Sequence, residues 1–173
     1  MKNMRTYLWA LLVIVIIAFA IQYTYLGIYS SGYNFGTIEL AGTSEGAAIL
    51  QNWYNSKVDS WSLLDYARTN TYMDFLFIIA YAGLLCSISY HLMQREKHVF
   101  INELLRWCLP MSLLAGFLDF VENGILLFDM HHFQPGHIFY PSMYVSYPKW
   151  ILSGLVLFIW IISFTARLVP SRK

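Results

Sequence analysis

Long apolar stretches separated by short polar segments make up most of this chain. Four of them are long enough to cross a bilayer as helices, because a hydrocarbon core of about 30 Å needs about 20 residues at about 1.5 Å each. They cover residues 7–29, 71–92, 104–128 and 149–168. The pattern predicts an all-α membrane protein, a four-transmembrane-helix bundle in which residues 1–173 form a single transmembrane domain.

The polar connection 30–70 contains two further apolar patterns. After Gly42, Thr43 or Ser44 can cap a short helix whose apolar residues recur at helical spacing. A second segment of this kind begins near Ser60 and runs toward the second span. Both are predicted to be short amphipathic helices that lie on the outer membrane surface.

Lysine and arginine are unevenly divided between the two ends of the predicted bundle. One end carries eight of the eleven: Lys2, Arg5, Arg95, Lys97, Arg106, Arg167, Arg172 and Lys173. The other end carries Lys57, Arg68 and Lys149. Because cytoplasmic segments hold the excess, both termini are predicted to be cytoplasmic. The outer loops contain no Asn-x-Ser/Thr sequon, which is compatible with a multi-pass protein of a bacterial plasma (inner) membrane.

Composition supports the membrane class and excludes others. Hydrophobic residues make up 58% of the chain and charged residues 12%, against about 25% charged in soluble domains. The net charge of +1 provides no basic field, so no nucleic-acid partner is predicted. Cys86 and Cys108 lie in apolar stretches and are predicted to be free thiols. There is no Gly-rich phosphate loop, and no cofactor is predicted.

Polar residues inside the third span are the main candidates for function. Asp119, Glu122 and Asn123 have the spacing of one helical face, and Ser112 and Gly116 extend the same stripe. A carboxylate at the centre of a membrane helix costs about 2.5–3.5 kcal/mol on insertion scales, so two of them one turn apart need an explanation.

Other polar residues are expected at a similar depth in the neighbouring spans. Lys149 begins the fourth span and is predicted to form an ion pair with Glu122 or Asp74. The predicted ligand-binding set, lining a polar pocket open to the outer leaflet, is Asp74, Asp119, Glu122, Asn123 and Lys149. Secondary candidates are Gln22, Glu39 and Glu45.

The second outer loop, 129–148, offers a weaker alternative. It holds His131, His132 and His137 close to Asp129, which raises the possibility of a metal site. Adjacent histidines are poorly spaced as two ligands from one helix, and no HExxH-like motif is present, so no metal is predicted. The three prolines of this loop argue against a long helix there.

Three stretches carry a resemblance to known proteins. They are the Glu-Leu-Ala-Gly-Thr segment 39–43 with Glu45 and Trp53 after it, the segment 73–77, and the Asp-x-x-Glu-Asn motif 119–123. Together they resemble a group of bacterial four-span integral membrane proteins of unknown function. The resemblance implies a shared architecture and shared polar positions, including a lysine near the start of the last span, which Lys149 matches. It implies no activity.

Three functions remain open from the sequence. The leading hypothesis is a protein that binds a lipid or small amphiphile, with the outer helices as a lid. The first alternative is a lipid-modifying enzyme in which Glu122 acts as base and Lys149 tunes its pKa; no catalytic residue is assigned beyond that. The second is an accessory structural subunit whose polar residues hydrogen-bond helices together. The expected partners are membrane lipids and membrane-protein subunits.

Overall fold

A computed structural model describes residues 10, 12–21, 35–58 and 60–168 of the chain. The helices are α1 (Leu12–Ile21), α2 (Phe35–Glu39), α3 (Thr43–Asn55), α4 (Leu63–Met93), α5 (Val99–His132) and α6 (Met143–Leu168). Two short strands, β1 (Lys57–Val58) and β2 (Trp61–Ser62), pair antiparallel between α3 and α4. The described chain is predominantly helical, which confirms the predicted all-α class.

Three of these helices are long and apolar enough to cross a membrane. They are α4, α5 and the Met143–Ala166 part of α6. In the centre of the group, α5 packs along both α4 and α6, which contact each other little. Of the predicted first span, 7–29, the described part is residue 10 and the apolar helix α1. The chain is therefore a membrane protein with three candidate spans among its described residues, and the fourth span stays a prediction.

The second long helix begins well before the predicted residue 71. Its N-terminus is a capping box: Asp65 N donates to Ser62 Oγ over 3.2 Å, and Ser62 N donates to Asp65 Oδ2 over 3.3 Å. These bonds satisfy backbone N–H groups that a helix start leaves free. The helix therefore starts at Leu63, and the segment that begins near Ser60 leads directly into it.

The loop predicted over 129–148 is shorter in the structure because the helices on both sides extend into it. In the structure α5 runs from Val99 to His132 rather than over 104–128, and α6 begins at Met143 rather than 149. Pro148 lies inside α6, where its missing N–H removes one bond of the early helix. The expectation that prolines prevent a long helix in this loop is correct only for residues 133–142, between α5 and α6.

An apolar core closes the end of the bundle where α5 ends and α6 begins. It is formed by Ile38, Ala41, Ile49, Leu50, Trp53, Leu63, Leu64, Ala67, Leu126, Met130, Phe133 and Phe139. Within it, α3 approaches the second outer loop so closely that a Cβ on Gly46 would overlap the Phe139 ring. The apolar face of α3 is thus covered by protein, and the predicted location of this helix on the membrane surface stays a prediction.

Candidate functional site

Lys149 is the centre of a buried polar cluster at the same end of the bundle. Its Nζ lies 2.8 Å from Glu122 Oε2, 3.0 Å from Asp119 Oδ1 and 3.5 Å from Glu39 Oε2. Glu122 is fully buried, Lys149 is 4% exposed and Asp119 6%. The ammonium donates hydrogen bonds to Asp119 and Glu39, and its contact with Glu122 is an ion pair. The contact with Glu122 is one of the two ion pairs predicted from the sequence.

The short helix α2 supplies the third carboxylate. Glu39 is the last residue of α2, and its backbone carbonyl accepts hydrogen bonds from Ser146 Oγ at 3.0 Å and Ser142 Oγ at 3.2 Å. The spacing of Ser142, Ser146 and Lys149 puts all three on one face of the α6 segment. One face of α6 therefore holds both the main chain and the side chain of Glu39.

A second hydrogen-bonded pair extends the cluster toward α4. Asn123 Nδ2 donates to Asp74 Oδ2 over 2.6 Å. Asn123 is buried and Asp74 is half-buried, so the cluster approaches the surface of the bundle at Asp74. The Tyr81 hydroxyl, two turns further along α4, is within electrostatic range of Asp74, Asp119 and Glu122. We name the set Glu39, Asp74, Asp119, Glu122, Asn123 and Lys149 the Lys149 cluster.

The Lys149 cluster contains four carboxyl groups and one amine. Burial raises the pKa of Glu39, the member outside the long helices; the nearby Lys149 ammonium opposes this effect, and the Asp119 carboxylate adds to it. An ionised carboxyl is poorly solvated in such a place, and one ammonium cannot neutralise four of them. The arrangement favours the uptake of protons or of another positive charge.

The five residues predicted to bind ligand are brought together, while the secondary candidates separate. Glu39 joins the cluster. Glu45 is exposed in the first turn of α3 and lies apart from it. Gln22 lies outside the described residues. The sequence predicts a pocket open to one leaflet, whereas the structure packs most of the cluster tightly, with Asp74 as its most accessible predicted member.

The lower half of the polar stripe on α5 serves packing. Ser112 is buried and donates to the Cys108 carbonyl over 2.7 Å in its own helix. At Gly116 a Cβ would come within 2.8 Å of Ala82 Cβ, so α4 and α5 approach each other closely there. The stripe therefore changes from a helix contact at Ser112 and Gly116 to an ionisable cluster at Asp119.

The histidines of the second outer loop each have a different partner. His137 Nε2 lies 3.1 Å from the buried Asp129 carboxylate, and His131 Nε2 lies 2.9 Å from the Tyr72 hydroxyl. His132 Nδ1 bonds to a carbonyl of its own helix. Within the described ranges, no three His, Cys, Asp or Glu side chains are arranged to hold a metal ion.

An open apolar groove of about 750 Å³ lies near the cluster but on another side of α5. Its walls are Val121, Gly124, Ile125, Phe128, Tyr140, Pro141, Tyr144 and Val145. At about 100° per residue, Val121 and Gly124 point away from Asp119 and Glu122. The groove and the Lys149 cluster are therefore separate features.

Sequence reasoning missed three contributors to the site. Ser142 and Ser146 precede Lys149 by seven and three positions, a helical spacing that could have identified them had the helix been extended past Pro148. Tyr81 follows Asp74 by seven positions, so the two share a face of α4.

Comparisons with known proteins identify no relative. No protein-family model matches the chain, and no significant match is found among curated proteins or solved structures.

Proposed function

We propose that this chain is a four-span membrane protein that binds a lipid or small amphiphile at the Lys149 cluster. The observation that carries this proposal is the convergence of three carboxylates on one buried lysine beside a fourth, half-buried carboxylate. Ionisable groups are costly at membrane depth and are retained mainly where they bind or transfer something. A helix clamp of the ordinary kind needs far fewer charges.

The proposed topology has α1 within the first span and both termini in the cytoplasm. The described part of that span is apolar, and Phe19 of α1 lies near Phe77 of α4, with ring centroids 6.4 Å apart. The Lys and Arg excess at the opposite end of the bundle supports an outer location for the cluster. The likeness to bacterial four-span proteins of unknown function favours a plasma (inner) membrane.

The segment from α2 to α3 is proposed to cover the ligand site. It contributes Glu39, and its attachment to α6 depends on two serine hydroxyls and one ion pair. The rest of the segment is packed into the apolar core, where Ile49 and Leu50 are buried together with Leu126 of α5. The segment therefore covers the Lys149 side of the cluster and leaves Asp74, on the α4 side, as the accessible member.

Native mass spectrometry of the gently extracted protein tests the proposal. The wild type is expected to carry a bound lipid or amphiphile that the Glu122→Gln variant loses. Glu45→Gln is the matched control, since it removes an exposed carboxylate from the same end of the protein. Identical bound molecules in all three proteins, or none in any, would refute a ligand site at the cluster and favour a structural subunit.

A further inference from the structure

The Lys149 cluster has an excess of negative charge that no described residue offsets. Four elements face it with titratable groups: α2 with Glu39, α4 with Asp74 and Tyr81, α5 with Asp119 and Glu122, and α6 with Lys149. If every carboxyl is ionised, the net formal charge of the group is 1 − 4 = −3. Burial of such a charge is unfavourable unless something positive accompanies it.

The unmet hydrogen-bonding capacity of the cluster lies at Glu122. Neither carboxylate oxygen of Glu122 accepts a hydrogen bond of normal geometry from a described residue, although Lys149 Nζ is 2.8 Å from Oε2. Glu122 is fully buried, so bulk water does not supply the missing donor. A buried acceptor without a donor costs about 1–3 kcal/mol, and more for a charged group. What the cluster lacks is hydrogen-bond donors that carry positive charge.

The charges and hydrogen-bond donors of the cluster also disfavour an anionic ligand. Lys149 is the sole cation among the described residues of the cluster; its Nζ donates to Asp119 and Glu39 and also lies against Glu122. A phosphate or carboxylate headgroup would have to displace one of these partners and would add to the negative charge. A metal ion is disfavoured too, because the part of the chain described here holds no group of three suitable ligands in position.

We propose that the ligand of the Lys149 cluster is an amphiphile with an ammonium headgroup. This inference rests on the proposed function and specifies the class of ligand that the same site binds. The headgroup takes the place of one proton, that on Glu122, and this proton passes to solvent as the headgroup binds. Its N–H groups donate to the Glu122 oxygens that lack donors, and its charge replaces that of the departing proton.

The apolar tail has a surface to lie on next to Asp74. Phe77 and Tyr81 follow Asp74 on α4, with ring centroids 5.3 Å apart, and Phe19 of α1 lies 6.4 Å from Phe77. Because Asp74 is half-buried, a headgroup enters the cluster there while its tail stays on this aromatic surface. The entry is thus on the α4 side, away from the apolar groove between α5 and α6.

Three amphiphiles with the same twelve-carbon chain test the charge requirement: dodecylamine, dodecanol and dodecanoate. Each is titrated into the purified full chain in nonionic detergent, and binding is measured by native mass spectrometry and by the shift in thermal unfolding. Dodecylamine is expected to bind at least about tenfold more tightly than the other two, the scale of one charged hydrogen bond. Glu122→Gln is expected to abolish that preference, whereas Glu45→Gln keeps it. Asp74→Asn, at a half-buried position, is a second variant should Glu122→Gln fold poorly.

The outcomes separate this inference from the proposed function. A preference for dodecanoate or dodecanol that depends on Glu122 overturns the ammonium ligand and leaves an amphiphile site standing. If dodecylamine binds equally to the wild type, Glu122→Gln and Asp74→Asn, it is only partitioning into the detergent around the protein. That result overturns the ammonium ligand, and the cluster then holds protons only. Absence of all binding, together with no Glu122-dependent natural lipid, overturns both.

Discussion

Replacement of Lys149 by methionine should have a far larger effect than neutralisation of any one of its partners. Lys149→Met keeps a side chain of similar length but leaves three carboxylates without their shared cation. Removal of one partner from a buried ion pair costs about 3–5 kcal/mol. In a chain of this size, with about 2–4 °C per kcal/mol, the midpoint of thermal unfolding should fall by roughly 6–20 °C.

Glu122→Gln should behave differently because the cluster has too many acids rather than too few. The variant loses the attraction to Lys149 at 2.8 Å, but it also loses repulsion from Asp119 and Glu39. Two repulsions oppose one attraction, so the free energy of unfolding should change by at most about 1 kcal/mol. The asymmetry between lysine and glutamate is the signature of one ammonium among several carboxylates.

Thermal unfolding in nonionic detergent without added amphiphile measures both effects. The six tryptophans, one of them next to Lys149, provide the fluorescence signal. Lys57→Met, at an exposed position of β1, is the matched control and should leave the midpoint nearly unchanged. The Lys149→Met deficit should shrink as the pH falls toward about 4, where carboxyls accept protons. Equal losses for Lys149→Met and Glu122→Gln, or a deficit that does not depend on pH, would refute this account of the cluster.

Four further single variants and one double variant test the packing and the titration of the site. Gly116→Ala should cost about 1–3 kcal/mol of unfolding free energy through its clash with Ala82, and Gly116→Ala with Ala82→Gly should recover part of it. Gly124→Ala, in open space, should leave stability unchanged or raise it by up to about 1 kcal/mol; a loss equal to that of Gly116→Ala would contradict the close approach. Gly46→Ala should cost about 1–3 kcal/mol and speed proteolysis of α3, since the added methyl overlaps an aromatic ring. Burial raises the pKa of Glu39 from 4.5. The protonated Glu39 side chain therefore contributes fully to stability below that pH, and its contribution declines as the pH rises. Glu39→Gln should flatten the pH profile of the unfolding midpoint, and parallel profiles for the variant and the wild type would exclude this role.

The interior of the long helices was predictable from the sequence, whereas their ends were not. Apolar runs of the necessary length identify α4, α5 and α6 because few other structures satisfy the backbone in a bilayer. The ends of these helices extend into polar sequence, where local hydrogen bonds determine the first and last helical residues. Ser62 and Asp65 form a capping box whose residues were visible in the sequence, while the helical turn across Pro148 depends on packing at Ser142 that no local pattern reveals.

The site shows the same division between local spacing and tertiary contact. Asp119, Glu122 and Asn123 share a face by helical spacing alone, and Lys149 was expected to pair with Glu122 or Asp74. In the structure Asp74 pairs with Asn123 instead. Which of the two acids, at similar depth, reaches Lys149 depends on the rotation of α4. Glu39 belongs to a different segment altogether, and no periodicity relates it to the spans.

The contacts of Glu39 also determine the order in which the protein can be completed. Glu39 meets Ser142, Ser146 and Lys149 across 103, 107 and 110 residues of chain. During synthesis, α2 and the acids of α4 and α5 leave the ribosome before the lysine that neutralises them. Until α6 is present, those carboxyls lack the Lys149 ammonium, and the Glu39 carbonyl lacks the hydroxyl donors of Ser142 and Ser146. A chain that stops short of α6 therefore carries Asp119 and Glu122 on α5 without the cation that they face in the complete bundle.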